Sequence, residues 1–557
     1  MEDSAPQTQP GSTWRVPYAL AGFGGALVHD WSHGVPGALQ FFPARTWREV
    51  VAEVSARRYP RAELAKTLEA SGRELGAPDA SLNNARLLAN ENTFAVLTGQ
   101  QAGFLGGPLL SIHKALTAVK LAREYEKEAG GTARFVPVFW VAGDDHDLAE
   151  IDHAYFLRAD GEIHRATAVV NEDGKGRSAS DVFLSRDAEF LQGLRAELEP
   201  FVGAEFLDAA LNAYATNSFE SAFAALLLKW LGATGLVVAR SSDLRRFSPG
   251  LLARNVDDFD IVSRLIQESG VAMRKCGYEP GFSEKLRSAP HFFMAEKPGA
   301  VRGAIYSEMR DAERIFRIRG ETEQLLTLGE MRDKIAREPE LCTASAPLRP
   351  ILQQTIFPVA AAVLGPGELE YWAQLREVHA HYGAVWPVIV PRATLTLIDG
   401  SGEKAVRKLG LSGTPRDLFL SKEELAQRGA VGGPGEKIAV RSKTILAEFD
   451  AMSAEIKSSG AGLDPMLEKL RQKFAFELSR VAEKTGLALD RSGGAKTARA
   501  AYLSALVRPK NAPQERVLCA AQFMAKYAGL PERLLEIIEP DRREHTIVTL
   551  LENGIEP

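Results

Sequence analysis

Short apolar runs closed by glycine or proline punctuate the first three quarters of this chain, and longer amphipathic stretches separate them. Residues 94–97 (FAVL), 135–141 (FVPVFWV), 236–239 (LVVA), 359–364 (VAAAVL) and 386–390 (WPVIV) are too short for helices and lack polar alternation, which predicts strands buried on both faces of a parallel sheet. Between the first two lies a helical pattern, so residues 94–147 read as one right-handed βαβ unit with an acidic end. Residues 47–57 and 61–71 predict helices, the second capped at Gly72, and residues 151–165 predict a strand pair. The strand-glycine-helix order returns at 359–372, which predicts a doubly wound core.

Two segments interrupt that order. Residues 166–230 pass from polar turns into helices rich in Ala, Leu and Phe, and residues 276–345 show the alternation and turn signals of β-hairpins. From Leu418 the pattern is helical: Ser421 and Glu424 form a capping box, and Ile445, Phe449, Met452 and Ile456 recur at spacings of four and three. After a break with Asp464 as N-cap, a second amphipathic stretch follows, which predicts a coiled-coil hairpin. The resulting division is an N-terminal half of the core (1–165, with 1–13 a disordered lead-in), a first insertion (166–230), core (231–275), a second insertion (276–345), core (346–412), a helical arm (413–500) and a segment returning to the core (501–557).

The loop after the first strand reads TGQQAGFLGGP. Gly99, Gly103, Gly106 and Gly107 exceed what a turn needs and let backbone N–H groups approach a ligand, while Pro108 suits the first helical position. Thr98, Gln100, Gln101 and Ser111 add neutral donors and acceptors, so the loop is a candidate anion site at a helix N-terminus. His113 and Lys114 follow one turn into the helix, where they could stabilise a transferring phosphate. His113, Thr117, Lys120 and Glu124 also form one polar stripe, the mark of a solvated helix face. At the second strand's end, Asp144, Asp145, His146 and Asp147 put three carboxylates and an imidazole where open sheets bind ligands; they could hold an ammonium, steer Mg²⁺ or supply a base. Gly365, Gly367 and Glu368 open the later helix, with Tyr371 and Trp372 as candidate pocket walls, and Arg349 and Arg392 are candidate anion contacts.

Composition narrows the partners. Of 557 residues, 67 are Lys or Arg and 72 Asp or Glu, a net charge of −5 that offers no general basic field for nucleic acid. No uncharged run approaches a membrane span, and the N-terminal MEDSAPQTQPGST has no signal-peptide core. Cys276, Cys342 and Cys519 are scattered without a C-x-x-C pair, which fits buried apolar thiols in a reducing cytoplasm and excludes a disulfide framework or structural zinc.

TGQQAGFLGGP, SIHKA (111–115), GDDHD (143–147), LGPGELEYWAQL (364–375), VIVPRAT (388–394) and PQERVL (513–518) together resemble the BshC family, the cysteine-adding enzymes of bacillithiol biosynthesis. The resemblance spans the chain from the first strand to near the C-terminus. It implies an α/β, Rossmann-like nucleotide-binding core of the class I synthetase type, two connecting insertions and a coiled-coil arm that forms a homodimer. It further implies a cytoplasmic ligase joining L-cysteine to the amine of glucosaminyl malate, with ATP as co-substrate, Mg²⁺ as its companion and no resident metal. His113, Lys114, Asp145, His146 and Asp147 would then be catalytic, and Thr98, Gly99, Gln100, Gln101, Gly103, Gly106, Gly107, Ser111, Gly365, Gly367, Glu368, Tyr371, Trp372 and Arg392 would bind substrates. Two departures stand out: Asp144 replaces the family's usual Glu, and Leu364 replaces a frequent Gly. An adenylyl-transferring ligase on another amine and acid, or a non-catalytic dimeric nucleotide-binding scaffold, are the alternatives.

Overall fold

The computed structural model describes residues 13–145, 147–170, 176–282, 291–311, 313–411, 414–428, 434–459 and 462–550. At its centre lie five parallel strands, β1 (Thr93–Gln100), β2 (Arg134–Val141), β3 (Val237–Arg240), β4 (Val359–Leu364) and β5 (Val388–Pro391), in the order β5-β4-β1-β2-β3. The chain lays β1, β2 and β3 outward in one direction, then returns to the other side of β1 for β4 and β5. Strand order therefore reverses between β1 and β4, the position at which an open α/β sheet leaves a crevice at its carboxyl edge.

Alternation along the strands feeds separate buried clusters. Ala95 and Leu97 of β1 pack with Val136 and Val138 on one face, whereas Phe94 and Val96 pack with Phe135 on the other. Each fully buried Val, Leu or Phe contributes about 1.5–3 kcal/mol. The helix Leu110–Ala129 joins β1 to β2 and buries most of its circumference.

Residues 188–231 form three helices, Ala188–Val202, Ala204–Thr216 and Phe219–Leu231. A five-stranded antiparallel sheet, in the order Glu323–Thr327, Glu313–Arg319, Arg302–Arg310, Phe292–Ala295, Cys342–Ala344, lies between the helix Phe259–Lys275 and β4 in sequence. The two ends of the described chain meet: Thr13–Pro17 pairs antiparallel with Glu544–Thr549, which runs parallel to Thr394–Ile398. Gln514 clamps this sheet to the arm, taking the Leu397 N–H at 2.7 Å and donating to the Leu397 and Leu506 carbonyls.

The arm is a pair of helices, Pro434–Ser458 and Asp464–Val507, joined through stacked Phe449 and Phe474 rings (5.7 Å) and the Arg471–Asp450 fork at 2.6 and 3.0 Å. Ile445, Met452, Met466, Phe476 and Val481 remain exposed along it. Among the described residues no helix is long and apolar enough to cross a membrane.

Several local readings change. Gly72 does not cap its helix, which runs to Glu74; a Cβ there would lie 3.0 Å from Leu82, so this glycine lets the next helix close in. Pro108 precedes its helix, because the Leu109 N–H is held by the Leu518 carbonyl and turning begins only at Leu110. Asp464 is the first helical residue rather than the N-cap. Thr13 opens a strand, while residues 1–12 lie outside the described residues. Cys342 and Cys519 are buried and their thiols pushed up to about 12 by desolvation, but Cys276 is exposed at a helix C-terminus.

Candidate functional site

A cavity of about 170 Å³ opens at the strand-order reversal, walled by Leu97–Gln101 from the end of β1, Ala362–Leu364 from β4, Trp140 from β2 and Ala142 just after it, and Arg349, Gln353, Glu368, Tyr371 and Trp372 from the helices flanking β4. Each wall has a local reason. The Thr98 hydroxyl donates to the Val363 carbonyl at 2.9 Å and so extends the β1–β4 junction past its ladder. At Gly99 a Cβ would sit 2.6 Å from the Trp140 carbonyl, so only glycine lets β1 and β2 stay this close. Lys114, 3% exposed, is saturated: its Nζ donates to Gly99 O (2.7 Å) and Gln100 Oε1 (2.8 Å) and pairs with Glu368 Oε2 at 2.6 Å. Burial pushes the ammonium down from its usual range while Glu368 opposes the shift. Glu368 also takes the Gly365 N–H at 2.7 Å, so one carboxylate joins the helix Pro366–Trp372 to the end of β1.

Two side chains of opposite charge line the cavity. Asp145 accepts from Gln101 Nε2 at 2.8 Å and from the Asp147 N–H at 3.3 Å. Burial would raise its carboxyl, but these bonds and the Arg302 and Arg349 guanidiniums hold it below the usual carboxylate range. The Arg349 guanidinium has one hydrogen bond among the described residues, a long 3.5 Å contact to the Tyr371 hydroxyl, and no ion pair there. Burial opposes its charge, yet Tyr371, Glu368 and Asp145 hold its pKa above the ordinary value. The Tyr371 phenol is pushed up to about 12, chiefly by burial. An amino acid or a small dicarboxylate fits a space of this size, since a comparable protein cavity holds a benzene ring.

The rest of the glycine loop lies elsewhere. Residues 102–107 are buried; the Gly107 N–H bonds the Phe104 carbonyl, and the Gly107 carbonyl takes the Ala520 N–H. Gly103, Gly106, Gly107 and Ser111 do not line the cavity, and neither do Gly365, Gly367 or Asp147, which N-caps the short helix Leu148–Ile151. His146 lies outside the described residues. His113 is fully buried on a different face of its helix, where Nδ1–H donates to Glu515 Oε2 at 2.6 Å. The same carboxylate takes the Leu395 N–H at 3.0 Å and pairs with Arg392. Burial pushes the His113 imidazole down against the pull of Glu515, so it is neutral with Nδ1 protonated. The stripe of His113, Thr117 and Lys120 is not a solvated face: the segment after β5 and the C-terminal segment cover it, with Thr117 Oγ1 taking the Ala393 N–H at 3.0 Å and Lys120 donating to Leu535 O.

Gln353, Glu515 and Arg302 were not singled out from the sequence as site residues. Glu515 alone had a signal, in the PQERVL motif; the others come from insertion or helix positions without local marks. Among the described residues no group of three His, Cys, Asp or Glu side chains could hold a metal ion.

A Rossmann-like α/β protein with a small charged cavity at its strand-order reversal and a helical hairpin appended is the class that this geometry defines. Residues 25–393 match the N-terminal Rossmann-like domain of bacillithiol biosynthesis BshC, and residues 395–550 match its C-terminal coiled-coil domain. The chain belongs to the BshC family. Curated relatives include proteins from Geobacillus thermodenitrificans (30% identical, covering 94% of this chain and 97% of the relative), Geobacillus kaustophilus (31%, 89% and 92%) and Symbiobacterium thermophilum (30%, 86% and 87%), each named "Putative cysteine ligase BshC".

Proposed function

We propose that this chain is a cytoplasmic ligase that joins L-cysteine to the amino group of glucosaminyl malate, with ATP activating the cysteine carboxylate. The observation that carries the reading is the cavity between β1 and β4, whose lining includes both a guanidinium with one long side-chain hydrogen bond, Arg349, and an ionised carboxylate, Asp145. A substrate carrying both carboxylate and ammonium groups finds a partner for each.

Amide formation needs a leaving group on the acyl carbon. Cysteine's carboxylate displaces pyrophosphate from ATP to give an adenylate, or ADP to give an acyl phosphate; the sugar amine then attacks the acyl carbon, expels AMP or phosphate, and loses a proton. Arg349 anchors a substrate carboxylate. Asp145, held below the usual carboxylate range, is a weak base and serves to orient an ammonium. Lys114 already has three acceptors, so it fixes the ends of β1 and the Gly365 turn instead of contacting phosphate. His113 acts through Glu515 on the joint with the C-terminal segment. Mg²⁺ would enter with the triphosphate. The exposed apolar residues Met466, Phe476 and Val481 support a homodimer through the arm.

Purified protein with ATP, Mg²⁺, cysteine and glucosaminyl malate should yield the cysteinyl product by mass spectrometry, with AMP for an adenylate or ADP for an acyl phosphate. Turnover with a different amino acid and none with cysteine would select the alternative ligase; nucleotide binding without any product would select the scaffold.

A further inference from the structure

Glu220 sits in the first turn of the helix Phe219–Leu231, 1% exposed in an otherwise apolar stretch, and takes no part in the cavity wall. Its carboxylate lies directly beneath the acidic turn: a Cβ on Gly143 would fall 2.2 Å from Glu220 Cδ. Three donors at the end of β3 converge on it, namely Ser241 Oγ at 2.9 Å, the Ser242 N–H at 3.2 Å and the Ser242 hydroxyl. Because Ser241 gives its proton to Glu220, its oxygen is left to accept the Asp144 N–H at 3.1 Å. The turn is pinned on its other side by the Ser180 and Ala179 N–H groups, which bond the Gly143 and Asp145 carbonyls.

We propose that Glu220 is a positioning residue: by orienting the Ser241 hydroxyl and seating Gly143, it fixes the turn that carries Asp145 into the cavity. This takes from the preceding reading only that the cavity receives the substrate. The charged groups facing Glu220 are Asp144 from the turn and Arg245 from the segment after β3, which donates to Asp144 at 2.8 Å; Arg240 points away, to Glu74 and Asp243. Burial first, and the Asp144 charge second, push the Glu220 carboxyl up to about 7. Its charge, and with it the polarity of the Ser241 bridge, changes in the neutral range.

The test is amide hydrogen exchange in the full-length protein, read on peptides covering residues 142–149, for wild type, Glu220→Gln, Glu220→Ala and Leu227→Ala, the last an apolar truncation in the same helix. The expected result is exchange at the turn at least ~10-fold faster in Glu220→Ala than in Leu227→Ala at matched thermal stability. Protection in wild type should also change through pH 7, a dependence that Glu220→Gln lacks. Equal turn protection in Glu220→Ala and Leu227→Ala, or the same pH dependence in Glu220→Gln as in wild type, overturns the proposal. In the ligation assay, kcat should fall ~10-fold in Glu220→Ala and stay near wild type in Leu227→Ala; equal values in both also overturn it. A wild-type enzyme that makes no product sinks the ligase reading, and exchange at the turn still decides the role of Glu220.

Discussion

Two neighbouring residues of one motif, His113 and Lys114, look into different parts of the molecule. Lys114 reaches the end of β1 and the Glu368 carboxylate at the cavity's edge; His113, about 100° around the same helix, points into a closed joint with Glu515 and Arg392. The cavity is lined by the Arg349 guanidinium, whose one side-chain hydrogen bond among the described residues is long, and by the Asp145 carboxylate. The joint holds its charges paired at 0–2% exposure, as a structural junction requires. Closeness in sequence therefore says little about closeness to chemistry, and variants of the two regions should fail differently.

The largest expected effect is in the joint. Glu515→Ala leaves Arg392 buried without its anion and should cost about 3–5 kcal/mol in urea unfolding, while the molecules that remain folded turn over near the wild-type rate. Arg349→Ala should do the reverse: an unchanged melting temperature, with kcat/KM reduced about 30- to 900-fold, the equivalent of about 2–4 kcal/mol. If both variants lost activity in proportion to stability, the division between site and joint would be wrong.

Acid should also find the joint first. His545, fully buried between Thr394 and Thr396, is pushed down to about 3 by desolvation. Between about 6.5 and 3 the unfolded chain binds a proton there that the native state refuses, so stability falls as pH falls across that window, by about 1.4 kcal/mol per unit. Glu220 has the opposite sign: its raised carboxyl keeps a proton that the unfolded chain has lost, so its contribution declines as pH rises from about 4.5 to about 7. Unfolding measured from pH 4 to 8 should show the acid slope relieved in His545→Gln and the neutral slope relieved in Glu220→Gln. The smallest effect belongs to Tyr371→Phe, which removes a long 3.5 Å bond to Arg349 and should change kcat/KM by less than about fivefold, the equivalent of about 1 kcal/mol.

The parallel sheet was legible because strands buried on both faces announce themselves as apolar runs: residues 359–364 and the strand Val359–Leu364 coincide, and residues 236–239 are shifted by one from Val237–Arg240. The Ser421–Glu424 capping box was legible for a local reason too, with both of its bonds present at 2.8 and 3.2 Å. Features that depend on distant partners were not. The polar stripe of Leu110–Ala129 has the spacing of a solvated face, and it is buried by distant segments, the turn at Ala393 and the return of the chain at 514–535. Glycines 103, 106 and 107 read as a ligand cradle because freedom at φ is visible in sequence, whereas the Tyr214 hydroxyl that donates to the Gly103 carbonyl is not. Of the signature loop, Thr98 to Gln101 reach the cavity; Arg349 and Asp145 meet them there from segments about 200 residues apart.

The central claim is that the cavity between β1 and β4 receives the substrate's carboxylate on Arg349. A crystal structure of the protein with glucosaminyl malate tests it most directly. The account predicts a malyl carboxylate within hydrogen-bonding distance of the Arg349 guanidinium, between Gln101 and Tyr371. Well-ordered ligand bound elsewhere, with Arg349 still turned only to Tyr371, would contradict it.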